Sequence, residues 1–290
     1  MSAAPSVPLK RRSPARASEA HPNSAFLTGL ARAFGGAILF SLPLLMTMEM
    51  WWLGFLIPPG RLAVFLVVAL PFLVGLSYLA GFEDTFDRRE DVVDAFVALG
   101  VGFVASATVL LLLSVLEPDA MPLDELVGKI AVQAVPGAIG ALLAQSQFGN
   151  SGAERPGERA VGYWWELHLM LVGAFFLALN IAPTEEIVLL AYRIGTPHLL
   201  TLVLVSLGAM HAFVYAVEFR GQHRLPEGAP WWLPWLRYTI PGYALALLAS
   251  AGVLWVFGRM DDTSAVEMLR TTVILAFPAA IGAAAARLVL

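Results

Sequence analysis

The chain is made of apolar segments that are each long enough to cross a lipid bilayer. Hydrophobic residues are 58% of its 290 residues, and charged residues are only 14%. A soluble domain carries about a quarter charged residues, so much of this apolar surface must face lipid. Because a backbone in lipid has to satisfy its own hydrogen bonds, the segments are expected to be helices. The sequence therefore predicts an all-α polytopic membrane protein in contact with the lipid bilayer.

The apolar segments can be placed by length, since about 20 helical residues cross ~30 Å of hydrocarbon. Eight spans are predicted, at residues 30–56, 62–82, 92–116, 126–146, 163–192, 198–219, 235–257 and 267–289. The segment before them, residues 1–28, is rich in Pro, Ser and basic residues and is predicted to be a disordered cytoplasmic tail. The stretch 147–162 contains Gly, Ser and Glu and is predicted to be a cytoplasmic linker.

The two halves of the chain are similar in sequence. Residues 34–82 match residues 171–219 without a gap, which aligns Thr47 with Thr184 and Glu49 with Glu186. A second ungapped match aligns residues 136–141 with residues 278–283. Four spans in each half give both halves the same orientation, so we expect two parallel four-helix repeats related by an axis along the membrane normal. The predicted repeats are residues 29–146 and 163–290.

Charge and composition limit the setting and the partners. Most Lys and Arg residues fall on the side of the N-terminal tail, which favours cytoplasmic N- and C-termini in a bacterial inner membrane. The chain has no cysteine, which excludes disulfides and thiolate metal sites. A net charge of −4 is too small to indicate nucleic acid as a partner. No cofactor is expected, and a homo-oligomer stays open.

Carboxylates inside apolar segments are the candidate site. The second half reads Asn180-Ile-Ala-Pro-Thr184-Glu185-Glu186, and the first half retains the aligned Thr47 and Glu49. Counting 11 residues back from Pro197 along one helix puts Glu186 ~16 Å deep, near the bilayer midplane. Amide, hydroxyl and carboxylate oxygens suit a hard cation or a proton. The predicted ion-binding residues are Thr47, Glu49, Asn180, Thr184 and Glu186, with Glu49 and Glu186 as the candidate metal ligands if the ion is a metal.

A proton relay is predicted on the sixth span. His211, Tyr215 and Glu218 follow one another at helical spacings of four and three. Histidine within a membrane helix is suited to proton transfer. The alternative is a structural hydrogen bond between His211 and Tyr215, with Glu218 among the inner headgroups.

The duplicated eight-span arrangement with its N-x-x-P-T-E-E motif resembles an uncharacterised bacterial family of integral membrane proteins, to which no activity is attached. Glu185-Glu186 followed by His211 also resembles the glutamate-type intramembrane proteases that process prenylated proteins. That resemblance implies a hydrolase in which glutamate and histidine activate water. The chain departs from that pattern, because Leu190 stands at its arginine position and Leu207 at its phenylalanine position.

Three functions therefore remain open at this point. A secondary transporter or channel for a cation or a proton is favoured by the repeats, the helices broken by Pro43 and Pro183, and the matched glutamates near the midplane. A diverged intramembrane hydrolase would use Glu185, Glu186 and His211. A non-transporting scaffold or sensor would use the glutamates only as polar contacts between helices. Whether the protein is an enzyme is left open, with a non-enzyme favoured.

Overall fold

The computed structural model of the protein describes residues 22–80, 88–148, 162–216, 230 and 232–289. Most of the predicted tail and linker, residues 1–21 and 149–161, lies outside the described residues. The described part is helical and contains no strand. Its helices are α1 (Pro22–Leu45), α2 (Met48–Leu56), α3 (Pro59–Ala80), α4 (Arg88–Leu112), α5 (Leu123–Phe148), α6 (Tyr163–Ile181), α7 (Glu186–Arg193), α8 (Thr196–Ala216), α9 (Ile240–Val256) and α10 (Ala265–Val289). A single π-helical turn, Trp235–Thr239, leads into α9.

Within the described residues, eight helices are long and apolar enough to cross a membrane, as predicted. The prediction that residues 30–56 and 163–192 each form one span is wrong. The first candidate span ends at Leu45 and the fifth at Ile181, and short helices α2 and α7 follow each break. α1 also begins seven residues before the predicted start of the first repeat at residue 29.

Side chains from other segments satisfy the backbone where these helices break. The Trp51 indole donates a hydrogen bond of 2.8 Å to the carbonyl of Leu45, the last residue of α1. The Arg259 guanidinium donates to the carbonyl of Pro183, in the break between α6 and α7. An interrupted helix at the edge of a membrane needs such partners, because carbonyls at a helix end have no bonding partner within the helix.

In each half, the last helix lies at the centre of the packing. α5 packs against α1, α2, α3 and α4, and α10 packs against α6, α7, α8 and α9. Glycines allow the closest approaches. A Cβ at Gly36 would meet the Gly140 carbonyl, and one at Gly173 would meet the Gly282 carbonyl. These two glycine pairs occupy aligned positions of the sequence repeat, so α1 meets α5 as α6 meets α10.

The halves meet along α3, which packs against α6 and α9. Aromatic rings follow this seam along much of α3. The Phe65 ring lies 6.2 Å from Phe257 and 6.1 Å from Phe175, and Phe175 stacks on Phe72 at 5.0 Å. Farther along, Tyr78 stacks on Trp165 at 4.3 Å. The first and second halves are therefore joined by a continuous row of rings.

Candidate functional site

A cavity of about 260 Å³ opens at the end of the bundle where α1 and α6 stop. Three separate segments form it. α2 supplies one wall, the break before α7 supplies a carboxylate, and the loop after α9 supplies the opposite wall. The lining residues are Glu49, Trp52, Leu53, Leu56, Glu185, Phe257, Gly258, Arg259 and Asp261. The helix breaks create this cavity, because they turn the chain aside just where each span ends.

A bidentate ion pair at the rim joins the two halves. The Arg61 guanidinium, at the start of α3, donates hydrogen bonds of 2.7 and 2.9 Å to the two carboxylate oxygens of Asp261. The same guanidinium donates to the Trp255 carbonyl at 3.2 Å and lies 5.2 Å from the centre of the Trp255 ring. The hydrogen bonds from Arg61 lower the pKa of Asp261 below its ordinary value. Asp261 is therefore a charged but already partnered carboxylate.

Glu49 and Glu185 remain as the carboxylates that face the cavity without an ion pair among the described residues. Glu49 lies in the first turn of α2 and is half-buried, while Glu185 directly precedes α7 and is exposed. They come from different halves of the chain and line the same space. Arg259 is the cation of the lining, and part of its hydrogen-bonding capacity goes to Pro183. With Arg61 and Asp261 paired, the remaining charges of the lining sum to one negative charge.

The predicted ion-binding set is only partly brought together. Glu49 lines the cavity, but Glu186 does not; Glu186 is exposed and begins α7. Its predicted depth of ~16 Å assumed one continuous helix back from Pro197. That assumption is wrong, because α7 and α8 are separate helices and the span before them has already ended. The neighbouring Glu185 is at the cavity instead.

The hydroxyl and amide groups of the predicted set bind their own helix ends. Thr47 Oγ1 donates to the Pro43 carbonyl at 2.5 Å, and Thr184 Oγ1 donates to the Ile181 carbonyl at 2.9 Å. Asn180 Nδ2 donates to the Phe176 carbonyl at 2.8 Å. These bonds stabilise the carbonyls where α1 and α6 finish. Within the ranges that the structure describes, no three His, Asp or Glu side chains converge closely enough to hold a metal ion.

His211 lies at the other end of the second half. Its Nδ1 is 2.9 Å from the Thr239 hydroxyl at the start of α9, and its ring stacks on Trp235 at 3.9 Å. The cavity lies beyond the opposite end of α9, whose 17 residues span about 26 Å. His211 is thus far from both Glu185 and Glu186. Of the remaining predicted relay, Glu218 and the Tyr215 side chain lie outside the described residues.

Sequence reasoning missed the Arg61–Asp261 pair, the cavity role of Glu185 and the aromatic seam. One signal was available for the pair, since both residues fall on the same predicted membrane side. The partners on the seam had no such signal. Phe65 and Phe72 are seven residues apart and share one face of α3, but ordinary lipid-facing helices also carry aromatic stripes.

Comparison with known proteins identifies a family without supplying an activity. Residues 29–290 match the family described as "Putative integral membrane protein (DUF2391)". Because this match covers most of the chain, the protein belongs to that family. No curated protein and no solved structure matches the chain.

Proposed function

We propose that this integral membrane protein is a secondary transporter for a cation or a proton, and that its two halves are parallel repeats that move relative to each other. The observation that carries the proposal is the convergence of Glu49 and Glu185 on one open cavity. The two carboxylates belong to different halves. A positive ion between them would therefore interact with both halves at once, which is the coupling that a carrier requires.

Charge favours a cation as the bound species. Glu49 and Glu185 line one cavity and repel each other, and Arg259 in the same lining offsets one of their two negative charges. A cation or a proton relieves that repulsion. Trp52 and Phe257 belong to the apolar part of the lining beside these carboxylates.

Two observations favour a carrier over an open channel. Phe257 contributes to the cavity, and its ring continues into the row formed with Phe65 and Phe175. This row fills the seam below the cavity with packed rings. The Arg61–Asp261 pair closes the rim on one side and links the halves by an exposed bond that is readily exchanged. A rocking motion about α3 would break that pair while the cavity closes or opens.

The matched glycine contacts support the proposed repeat. Gly36 meets Gly140 in the first half, and Gly173 meets Gly282 in the second, at positions that the sequence aligns. The sequence also favours cytoplasmic termini, which would make the cavity open on the outer surface of a bacterial inner membrane.

Ion flux in proteoliposomes tests the proposal. Purified protein is reconstituted with pH-, Na⁺-, K⁺- or Ca²⁺-sensitive dyes, and flux is measured under imposed gradients. We expect Glu49→Gln and Glu185→Gln to lose flux while retaining the helical circular dichroism of the wild type. Glu186→Gln is the matched control, because Glu186 adjoins Glu185 but lies outside the cavity, and it should retain flux. Absence of flux in folded wild type, or full flux in both cavity variants, would refute the proposal.

A further inference from the structure

The contact between the halves uses a different face of each half. α3 of the first half packs on α6 and α9 of the second, and α5 and Phe40 of α1 also contact α6. α8 holds the position in the second half that α3 holds in the first. In the part of the chain that the structure describes, α8 makes no comparable contact with α1 or α4. When two similar halves join through two different faces, each half keeps one face that its neighbour does not cover. The same contact can then be repeated between separate copies of the chain.

The open face on α8 can be located by alignment with α3. Gly75 of α3 lies against the His168 ring of α6, and the residue aligned with Gly75 is Ala212. Ala212 is exposed. Only 11% of the α8 span is buried, against 33% of the α3 span. The α8 surface is therefore the uncovered counterpart of the surface with which α3 packs on the second half.

The open face on α1 corresponds to the α6 surface that α3 covers. Val172 aligns with Gly35, and continuing the same register to three residues before the matched stretch places His168 opposite Ala31. Both Ala31 and Gly35 are exposed, and a Cβ added at Gly35 would meet no atom within 4 Å. Where α6 carries an imidazole and a valine, α1 therefore carries two of the smallest side chains. Small residues let two membrane helices approach closely without a large side chain between them.

We propose that a second copy of the chain covers these faces, with α8 of one copy packed against α1 of the next. This contact would repeat between copies the seam that α3 and α6 form within one chain. It depends on the proposed correspondence of the halves but not on transport. Because both halves would have one orientation in the membrane, successive contacts turn about the membrane normal, and they close into a ring if that rotation divides a full turn.

The absence of cysteine in the chain allows a direct test by disulfide formation. Ala31→Cys and Ala212→Cys are placed in separately tagged copies, which are expressed together and oxidised in membranes. The pair corresponds to His168 and Gly75, which are in contact within the chain. We expect a disulfide-linked species of twice the monomer mass only when both variants are present, because a disulfide needs Cα atoms within about 7 Å.

The control combines Ala31→Cys with Leu204→Cys. Leu204 is 69% exposed but lies eight residues from Ala212, about 12 Å along α8. It should give little cross-linked product. Equal cross-linking in the test and control pairs would overturn the proposal, since it would indicate random collision. A strictly monomeric wild type by native mass spectrometry in lipid nanodiscs would also overturn it and would leave lipid as the occupant of both faces.

Discussion

Two glycines on α4, two residues apart, should respond in opposite ways to substitution by alanine. A Cβ at Gly102 would overlap the Ala134 carbonyl oxygen and lie 2.9 Å from the Ala138 nitrogen, both in the backbone of α5. A Cβ at Gly100 would meet nothing within 4 Å. Both substitutions gain about 0.5–1 kcal/mol from the greater helix propensity of alanine. Only Gly102→Ala also has to push two helix backbones apart.

The expected magnitude follows from the difference between the two variants. The helix-propensity gain is common to both and cancels, so the difference measures the cost of overpacking, about 1–3 kcal/mol. Because backbone atoms rather than side chains are in the way, no rotamer change can relieve the overlap, and we expect the upper part of that range. Gly100→Ala should then be slightly more stable than wild type and Gly102→Ala clearly less stable.

Reversible unfolding by SDS in mixed micelles, followed by far-UV circular dichroism, would measure this difference. A difference of about 2 kcal/mol changes the folded-to-unfolded ratio roughly 30-fold, which such a titration resolves. Equal stability of Gly100→Ala and Gly102→Ala would refute the close approach of α4 and α5 at Gly102. It would also weaken the same argument at Gly36 and Gly173.

Three further predictions concern single polar groups. Because Arg61 lowers the pKa of Asp261, the ion pair stabilises the folded protein fully above the unfolded pKa of about 4, and this stabilisation is lost as pH falls through the pKa of the folded state. Asp261→Asn should therefore make Tm fall less steeply in acid than it does in the wild type. An equal effect of the control Asp119→Asn would contradict this. The amide nitrogen and oxygen of Gln133 are buried without a hydrogen-bond partner in the described part of the protein. Gln133→Leu should therefore raise the free energy of unfolding in SDS by about 1–3 kcal/mol. A lower free energy of unfolding would indicate that Gln133 has a bound partner. His211→Ala should leave proteoliposome flux unchanged, because His211 lies at the end of α9 opposite to the cavity. Loss of flux in a folded variant would instead support the predicted proton relay through His211.

The number and type of the spans could be predicted because they depend on apolar length alone. In lipid, such a segment satisfies its backbone hydrogen bonds by forming a helix, so the apolar sequence of each segment is enough to predict its structure. Pro183 marks the second break in the sequence, but the positions at which the helices end could not be predicted, since they also depend on distant contacts. Thr47 is not a strong helix breaker, and the break next to it is supported by the Trp51 indole on Leu45. Pro43, by contrast, lies inside α1 without ending it.

The identity of the cavity carboxylate shows the same limit. The sequence favoured Glu186 over Glu185 because Glu186 aligns with Glu49 of the first half, whereas Glu185 aligns with Met48. The break at residues 182–185 interrupts the helix, so the positions that follow turn in a direction that a continuous helix would not give. The glutamate that lines the cavity is thus selected by the geometry of the break. For Arg61 and Asp261, separated by 200 residues, the sequence indicates a shared membrane side but not that the two side chains pair.

The central position of α5 and α10 has a consequence for how the protein is made. Each is the final helix of its half, so the earlier spans leave the ribosome and enter the membrane before their main packing partner exists. Domains assemble as units during synthesis, and incomplete ones expose surfaces prone to misassembly. A nascent chain that stops before residue 123 would hold three spans without α5 to gather them. One that continues through residue 148 would carry all the helices of its first half and could assemble while the second is still being translated.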